Sequence, residues 1–150
     1  MLSLERLGSL CGVLIPCRLA IPMAERLKKT VWEDLDKESL LGGTVKRRFV
    51  YGRNAMVAQI WLSKGAQVAE HVHEAEQITQ VFTGALRLIF RESGETHDLR
   101  AGEVIVIPPN VPHAAVALED TYESDTFSPR REDWIQGTDA YLRTPDTTKK

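Results

Sequence analysis

From Gly42 onward the chain is cut into short apolar runs by turn residues at near-even spacing, and that cadence points to β-structure. The breaks fall at Gly52-Arg53-Asn54, Lys64-Gly65, Thr83-Gly84, Ser93-Gly94, Ala101-Gly102 and Pro108-Pro109-Asn110. Glycine and asparagine reach left-handed turn conformations that other residues avoid, and proline cannot continue a ladder. Between the breaks the pattern predicts strands over residues 44–51, 56–63, 76–82, 85–91, 95–99, 104–107, 113–117 and 122–127. Leu86, Leu88 and Phe90 alternate with Arg87 and Arg91, so that strand has one wet face. Val104-Ile105-Val106-Ile107 is apolar throughout and is expected to be buried on both faces. Many short strands at even spacing predict an all-β sandwich or barrel of jelly-roll type.

At 150 residues the chain has the length of one domain with a core of its own. Its formal net charge is -2, with no basic stripe and no basic-aromatic interleaving, which argues against a nucleic-acid surface. No apolar run approaches the roughly 18 residues that span a bilayer. Both cysteines, Cys11 and Cys17, precede the β region, so no disulfide framework is expected there and a cytoplasmic setting fits. Residues 7–20 are moderately apolar, but Glu5 cancels Arg6, and Arg18 and Pro22 spoil the pattern of a secretory signal. Residues 1–22 are therefore expected to be a disordered or mis-assigned extension ahead of Met23, followed by an arm over 23–43, a barrel over 44–137 and a polar tail over 138–150. Within the arm, Leu27, Val31 and Leu35 allow a short helix; an irregular segment packing Trp32 on the barrel is the alternative.

Two polar clusters interrupt this apolar cadence. The first is Gly65, five residues, His71-x-His73, three residues, Gln77, six residues, Gly84. The second is Gly102, five residues, Pro108, one residue, Asn110, two residues, His113. His71 and His73 are two apart, so an extended backbone points both to one face. Gln77 is an even count from both, although a turn near Glu74-Ala75 would interrupt the strand. Three imidazoles converging without a cation would leave costly unsatisfied groups, so the pattern predicts a divalent transition metal. His97 stands apart and reads as a surface residue.

These clusters resemble the two motifs of the cupin family, which usually has Glu at the place of Gln77 and Gly at the place of Asn110. The resemblance implies a double-stranded β-helix, with one metal bound by His71, His73, Gln77 and His113. Glu74 and Glu76 are alternative ligands to Gln77. A neutral amide in place of a carboxylate leaves the cation its full charge, which favours Lewis-acid chemistry over oxidation. Ni, Fe, Mn, Co, Cu and Zn all suit such a donor set.

A third constellation closes the β region: Asp125-x-Phe127-Ser128-Pro129-Arg130-Arg131-Glu132-Asp133-Trp134. Asp125 and Phe127 share a strand face, so an inward Phe127 takes Asp125 with it. A carboxylate inside an apolar barrel suits acid-base work, and Arg131 suits a substrate carboxylate. The spacing equally allows a solvated Asp125 and an Arg130-Arg131 pair in surface ion pairs. The stretch, with Pro108-Pro109-Asn110-Val111-Pro112-His113, resembles the KdgF-type cupins of pectin and alginate breakdown. That resemblance implies ring opening of 4,5-unsaturated uronates to the linear keto form. It also implies a small acidic sugar as substrate and Asp125, Phe127 and Arg131 as functional residues. Arg130 stands where that group often has a second proline, and Glu74-Ala75 where it often has Pro-His. A metal-dependent oxygenase and a non-catalytic sugar-binding domain are the competing expectations. A homodimer is expected, with no membrane or nucleic-acid partner.

Overall fold

The structure is a computed structural model that describes residues 28–143. The expectations for residues 1–22, for the first part of the arm and for the tail from Thr144 lie outside the described residues.

Ten strands run β1 (Glu38–Leu40), β2 (Val45–Tyr51), β3 (Met56–Leu62), β4 (Gln67–His71), β5 (Glu76–Thr83), β6 (Ala85–Phe90), β7 (Glu95–Arg100), β8 (Val104–Ile107), β9 (His113–Ala117) and β10 (Thr121–Ser128). Two short helices follow, α1 (Glu132–Gln136) and α2 (Ala140–Arg143). The strands form a six-stranded sheet, β1-β2-β3-β10-β5-β8, and a four-stranded sheet, β4-β9-β6-β7. All pairings are antiparallel, and β10 returns from the chain's end to lie between β3 and β5. This is the jelly-roll barrel with a C-terminal helical tail. No helix among the described residues is long and apolar enough to cross a membrane.

Period-two burial builds the interior. β3 alternates strictly between buried and half-buried positions, β10 does the same up to its exposed last residue, and β5 alternates between buried and exposed ones until its exposed end. Met56, Ala58, Val81 and Ile107 are fully buried, and Leu86, Leu88 and Phe127 nearly so. Each large apolar side chain buried this way contributes roughly 1.5–3 kcal/mol. Two backbone positions show why the motif residues are what they are. Gly84 has φ +81°, and a Cβ there would lie 2.2 Å from the Asp120 carbonyl oxygen. Asn110, where the family usually has Gly, also has a left-handed φ of 61°, a region asparagine tolerates. Its N–H donates to the His73 carbonyl at 2.8 Å and ties the second motif to the first.

The structure departs from the sequence expectation in three places. Val104 and Val106 are 54% and 55% exposed, so β8 is not buried on both faces. It is the edge of the larger sheet, and only its inward residues reach the core. β1 and β4 were not foreseen, because three residues are too few to show a period and the β4–β9 ladder is broken by a register shift between Val68 and His71. Among the described residues of the arm, the irregular alternative is what forms. Trp32 opens a single 3-10 turn, its carbonyl accepts from Arg48, and the Arg48 guanidinium lies 5.6 Å from its ring.

The C-terminal segment is fastened by a ring of charges. Arg47 meets Asp139 at 2.6 Å and Glu38 at 2.9 Å, and Arg143 meets Glu38 and Asp139 each at 2.8 Å. Arg47 and Asp139 are almost completely buried. The ring ties α2 to β1 and β2 and so sets what α2 lays over the barrel mouth.

Candidate functional site

His71 ends β4, His113 opens β9, and the two pair directly across the ladder. His73 follows in the turn, and Gln77 enters from β5. Despite the turn, Gln77 is buried and faces the same space, while Glu74 and Glu76 are exposed and point away. The three histidines offer ring nitrogens all within 4.8 Å of one another.

Hydrogen bonding decides which nitrogens these are. His71 Nδ1 faces the Ala69 carbonyl at 3.0 Å, His73 Nδ1 the Ala75 carbonyl at 2.8 Å, and His113 Nδ1 the Val111 carbonyl at 2.8 Å. A carbonyl only accepts, so each Nδ1 carries the proton and each Nε2 presents a lone pair. Burial, with positive neighbours assisting, holds His71 down to about 3 and His73 to about 4, and lowers His113 as well. The rings are therefore neutral at neutral pH.

Gln77 is oriented by a relay. Thr79, two residues on along the same inward face of β5, donates to Asp125 Oδ1 at 2.5 Å, and its oxygen accepts from Gln77 Nε2 at 2.9 Å. That leaves Gln77 Oε1 turned to His73 Nε2 at 3.1 Å. With His73 neutral and its proton on Nδ1, two lone pairs face each other there. His113 Nε2 is buried without any partner. A cation between these atoms resolves both conflicts, so the donors fit a divalent metal held by His71, His73, His113 and Gln77 Oε1.

Asp125 and Phe127 both point inward, with 4% and 1% exposure. Burial raises the Asp125 carboxyl to about 6, against the lowering effect of Thr79, Gln77 and Arg131. Phe127 packs edge-on to His73 at 5.6 Å and to Trp134 at 5.0 Å. Arg131 is buried, but its fork is taken. Nε and Nη2 donate to Asp133 at 2.9 and 2.6 Å, and Nη2 also reaches the Tyr141 hydroxyl at 3.0 Å. Only Nη1 is left without a partner. Arg130 pairs with Glu132 at the surface. His97 is exposed on β7, away from the cluster.

A cavity of about 50 Å³ joins His71, Gln77, His113, Asp125 and Arg131. At roughly 10–15 Å³ per water, that is space for several waters. Tyr141 of α2 stacks on His71, with ring centroids 4.0 Å apart and planes 9° off parallel. Its hydroxyl also accepts from Trp134 Nε1. Thr79, Glu123 and Tyr141 were not singled out from the sequence. Thr79 and Glu123 lie two residues from Gln77 and Asp125, so the strand period could have found them. Tyr141 reaches the site through a turn between two short helices, which no local pattern announces.

The Cupin domain family matches residues 60–123. Among solved structures, an RmlC-like cupin from Shewanella frigidimarina is 32% identical, with a TM-score of 0.65, and the match covers 75% of this chain and 99% of that one. KdgF from Halomonas sp. is 30% identical, also with a TM-score of 0.65, covering 73% of this chain and 99% of that one. The polyketide cyclase RemF from Streptomyces resistomycificus, 19% identical with a TM-score of 0.59 over 79% of this chain and 100% of that one, shares the fold. No curated protein matches the chain.

Proposed function

The chain belongs to the cupin family, and from that premise we propose that it is a metal-dependent isomerase opening the ring of 4,5-unsaturated uronates to the linear keto form. One observation carries the reading: a buried carboxyl near neutrality, Asp125, shares a cavity with His71 and His113 of the converging histidine cluster and with Arg131, whose Nη1 is free. Likeness to KdgF supports it.

The substrate is a cyclic enol ether with a carboxylate and a hemiacetal. Opening breaks the bond between C1 and the ring oxygen, forms the C1 aldehyde, and leaves an enol that becomes the C5 ketone when C4 takes a proton. Product and substrate have the same atoms. A divalent ion at the His71, His73, His113 and Gln77 cluster supplies Lewis-acid polarisation of a substrate oxygen. Asp125 takes the proton of the anomeric hydroxyl and returns one to C4, a task suited to a carboxyl near 6. The Thr79 hydroxyl bond to Oδ1 fixes the orientation of the carboxylate. Arg131 binds the uronate carboxylate through Nη1, while Asp133 and Tyr141 hold the guanidinium plane still. Phe127 walls the pocket and excludes water.

The test follows unsaturated galacturonate with metal-loaded protein, by loss of the double bond's ultraviolet absorbance and by NMR of the product. Accelerated loss that a chelator abolishes, with a linear keto product, is expected. A rate equal to the spontaneous one with metal bound refutes the reading. We further propose that the protein acts in the cytoplasm as a homodimer. The exposed apolar row of Ile78, Phe82, Val104 and Val106 on the larger sheet supports the dimer.

A further inference from the structure

Apart from Arg47, whose terminal nitrogens meet Asp139 and Glu38 as ion contacts, three residues lining one cavity carry a buried polar atom without a hydrogen-bond partner: His113 Nε2, Arg131 Nη1 and Glu123 Oε2. The first belongs with the metal cluster and the second with the substrate carboxylate. The third has no role in the chemistry above. Glu123 is 5% exposed and stands two residues before Asp125 on the inward face of β10. It is in register with Ile60 of β3 and Val81 of β5, deeper in the barrel than Phe127, which is in register with Gln77, so β10 runs from Glu123 toward the mouth. Leu62, Leu86, Leu88 and Ala115 line the cavity with it.

Apolar surroundings are the wrong place for a carboxyl that serves only packing. Burial, reinforced by the neighbouring Asp125, pushes Glu123 well above the usual carboxylate range. In its neutral form it both donates and accepts a hydrogen bond, and its free oxygen has no protein atom to meet. A leucine or methionine would fill the same position without that cost.

We propose that Glu123 is a substrate-binding residue that recognises a hydroxyl of the sugar acid whose carboxylate Arg131 holds. This rests on the reading of the cavity as a site for a uronate. Two groups at separate points of an apolar cavity then measure the ligand: an anion at Arg131 and a hydroxyl at Glu123. An acid without the hydroxyl leaves Glu123 unpaired, and that penalty provides the discrimination.

The experiment titrates the full metal-loaded chain with D-galacturonate and with cyclohexanecarboxylate, which keeps the carboxylate and six-membered ring but lacks every hydroxyl. The parent protein should prefer galacturonate by about tenfold or more, the size of one well-made buried hydrogen bond. Glu123→Leu should bring the two affinities together by weakening galacturonate alone, and should raise Tm. Glu123→Gln, which still donates and accepts, should keep most of the preference. A purely structural Glu123 predicts the opposite Tm change and an untouched preference. Absence of preference in the parent, or an intact preference in folded Glu123→Leu, overturns the proposal. If the leucine variant does not fold, Glu123→Met decides on the same criteria. Turnover of unsaturated galacturonate is followed separately. Preference that depends on Glu123 without turnover removes the reaction and leaves the hydroxyl site; turnover with a preference indifferent to Glu123 does the reverse.

Discussion

Around Arg47 the charges close on themselves, whereas around His113 they face a cavity. In the ring of Arg47, Glu38, Arg143 and Asp139, each guanidinium meets two carboxylates and each carboxylate two guanidiniums. The terminal nitrogens of Arg47 and Asp139 Oδ2 make these as ion contacts at 2.6 and 2.9 Å rather than as aligned hydrogen bonds, so each still faces an opposite charge. In the site, lone pairs of His73 and Gln77 are opposed, and His113 Nε2, Arg131 Nη1 and Glu123 Oε2 have nothing to meet. Both clusters bury charge in the same small barrel. One is complete and holds α2 in place; the other is incomplete in the way a binding site must be, since its missing partners are the ligand's. Completeness of partnering, more than burial, separates a structural polar cluster from a functional one.

The largest effect that would break this contrast is at the ring. Asp139→Ala leaves Arg47 buried beside an empty place and is expected to cost about 3–5 kcal/mol of stability in urea denaturation. It should also lower kcat/KM, because α2 carries Tyr141 onto His71. A loss under ~1 kcal/mol would mean that the ring is not closed in solution.

Next in size is the removal of the site carboxyl. Asp125→Ala should reduce kcat by about 10²-fold or more while metal content stays at parent level and Tm does not fall. Unchanged kcat/KM would end the acid-base role. A large fall in Tm would move Asp125 into the structural class with Asp139.

Acid should divide the clusters too. The site histidines titrate near 3 and 4 in the folded chain and near 6.5 when unfolded, so the unfolded state binds their protons first. Their contribution to stability is complete above about 6.5 and is lost as pH falls toward 3–4. Asp125 runs the other way: raised to about 6, its stabilising contribution is full below about 3.9 and lost as pH rises through 6. Thermal melting of metal-free protein from pH 7 to 4 should therefore show a steeper decline in Asp125→Asn than in the parent. Parallel curves would contradict the raised carboxyl. The smallest change is at the sheet surface. Val106→Lys should shift Tm little, within the roughly ±0.5 kcal/mol of surface substitutions, and convert dimer to monomer in light scattering. A parent that is already monomeric would remove the proposed interface.

Much of the site was legible before the fold, for a reason particular to strands. Where a residue belongs to a regular strand, the period of two carries side-chain direction over several positions, so an inward Phe127 carried Asp125 with it. The same rule extends to Thr79 and Glu123. It failed at Val104-Ile105-Val106-Ile107, where composition described both faces as apolar but could not say that no strand lies beyond β8. It also had nothing to say about Arg131, whose fork is taken by Asp133 and Tyr141.

By itself the sequence determined the β-cadence, the spacing of the two motifs and the inward set on each strand, because turn chemistry and side-chain alternation act over a few residues. Tertiary structure alone decided which strand became an edge, which lone pairs were opposed and which charges found partners. Those outcomes depend on segments distant in the chain, such as Glu38 with Arg143 or Thr79 with Asp125, arriving at one place. Partnering is a property of the packed whole, and no local pattern carries it.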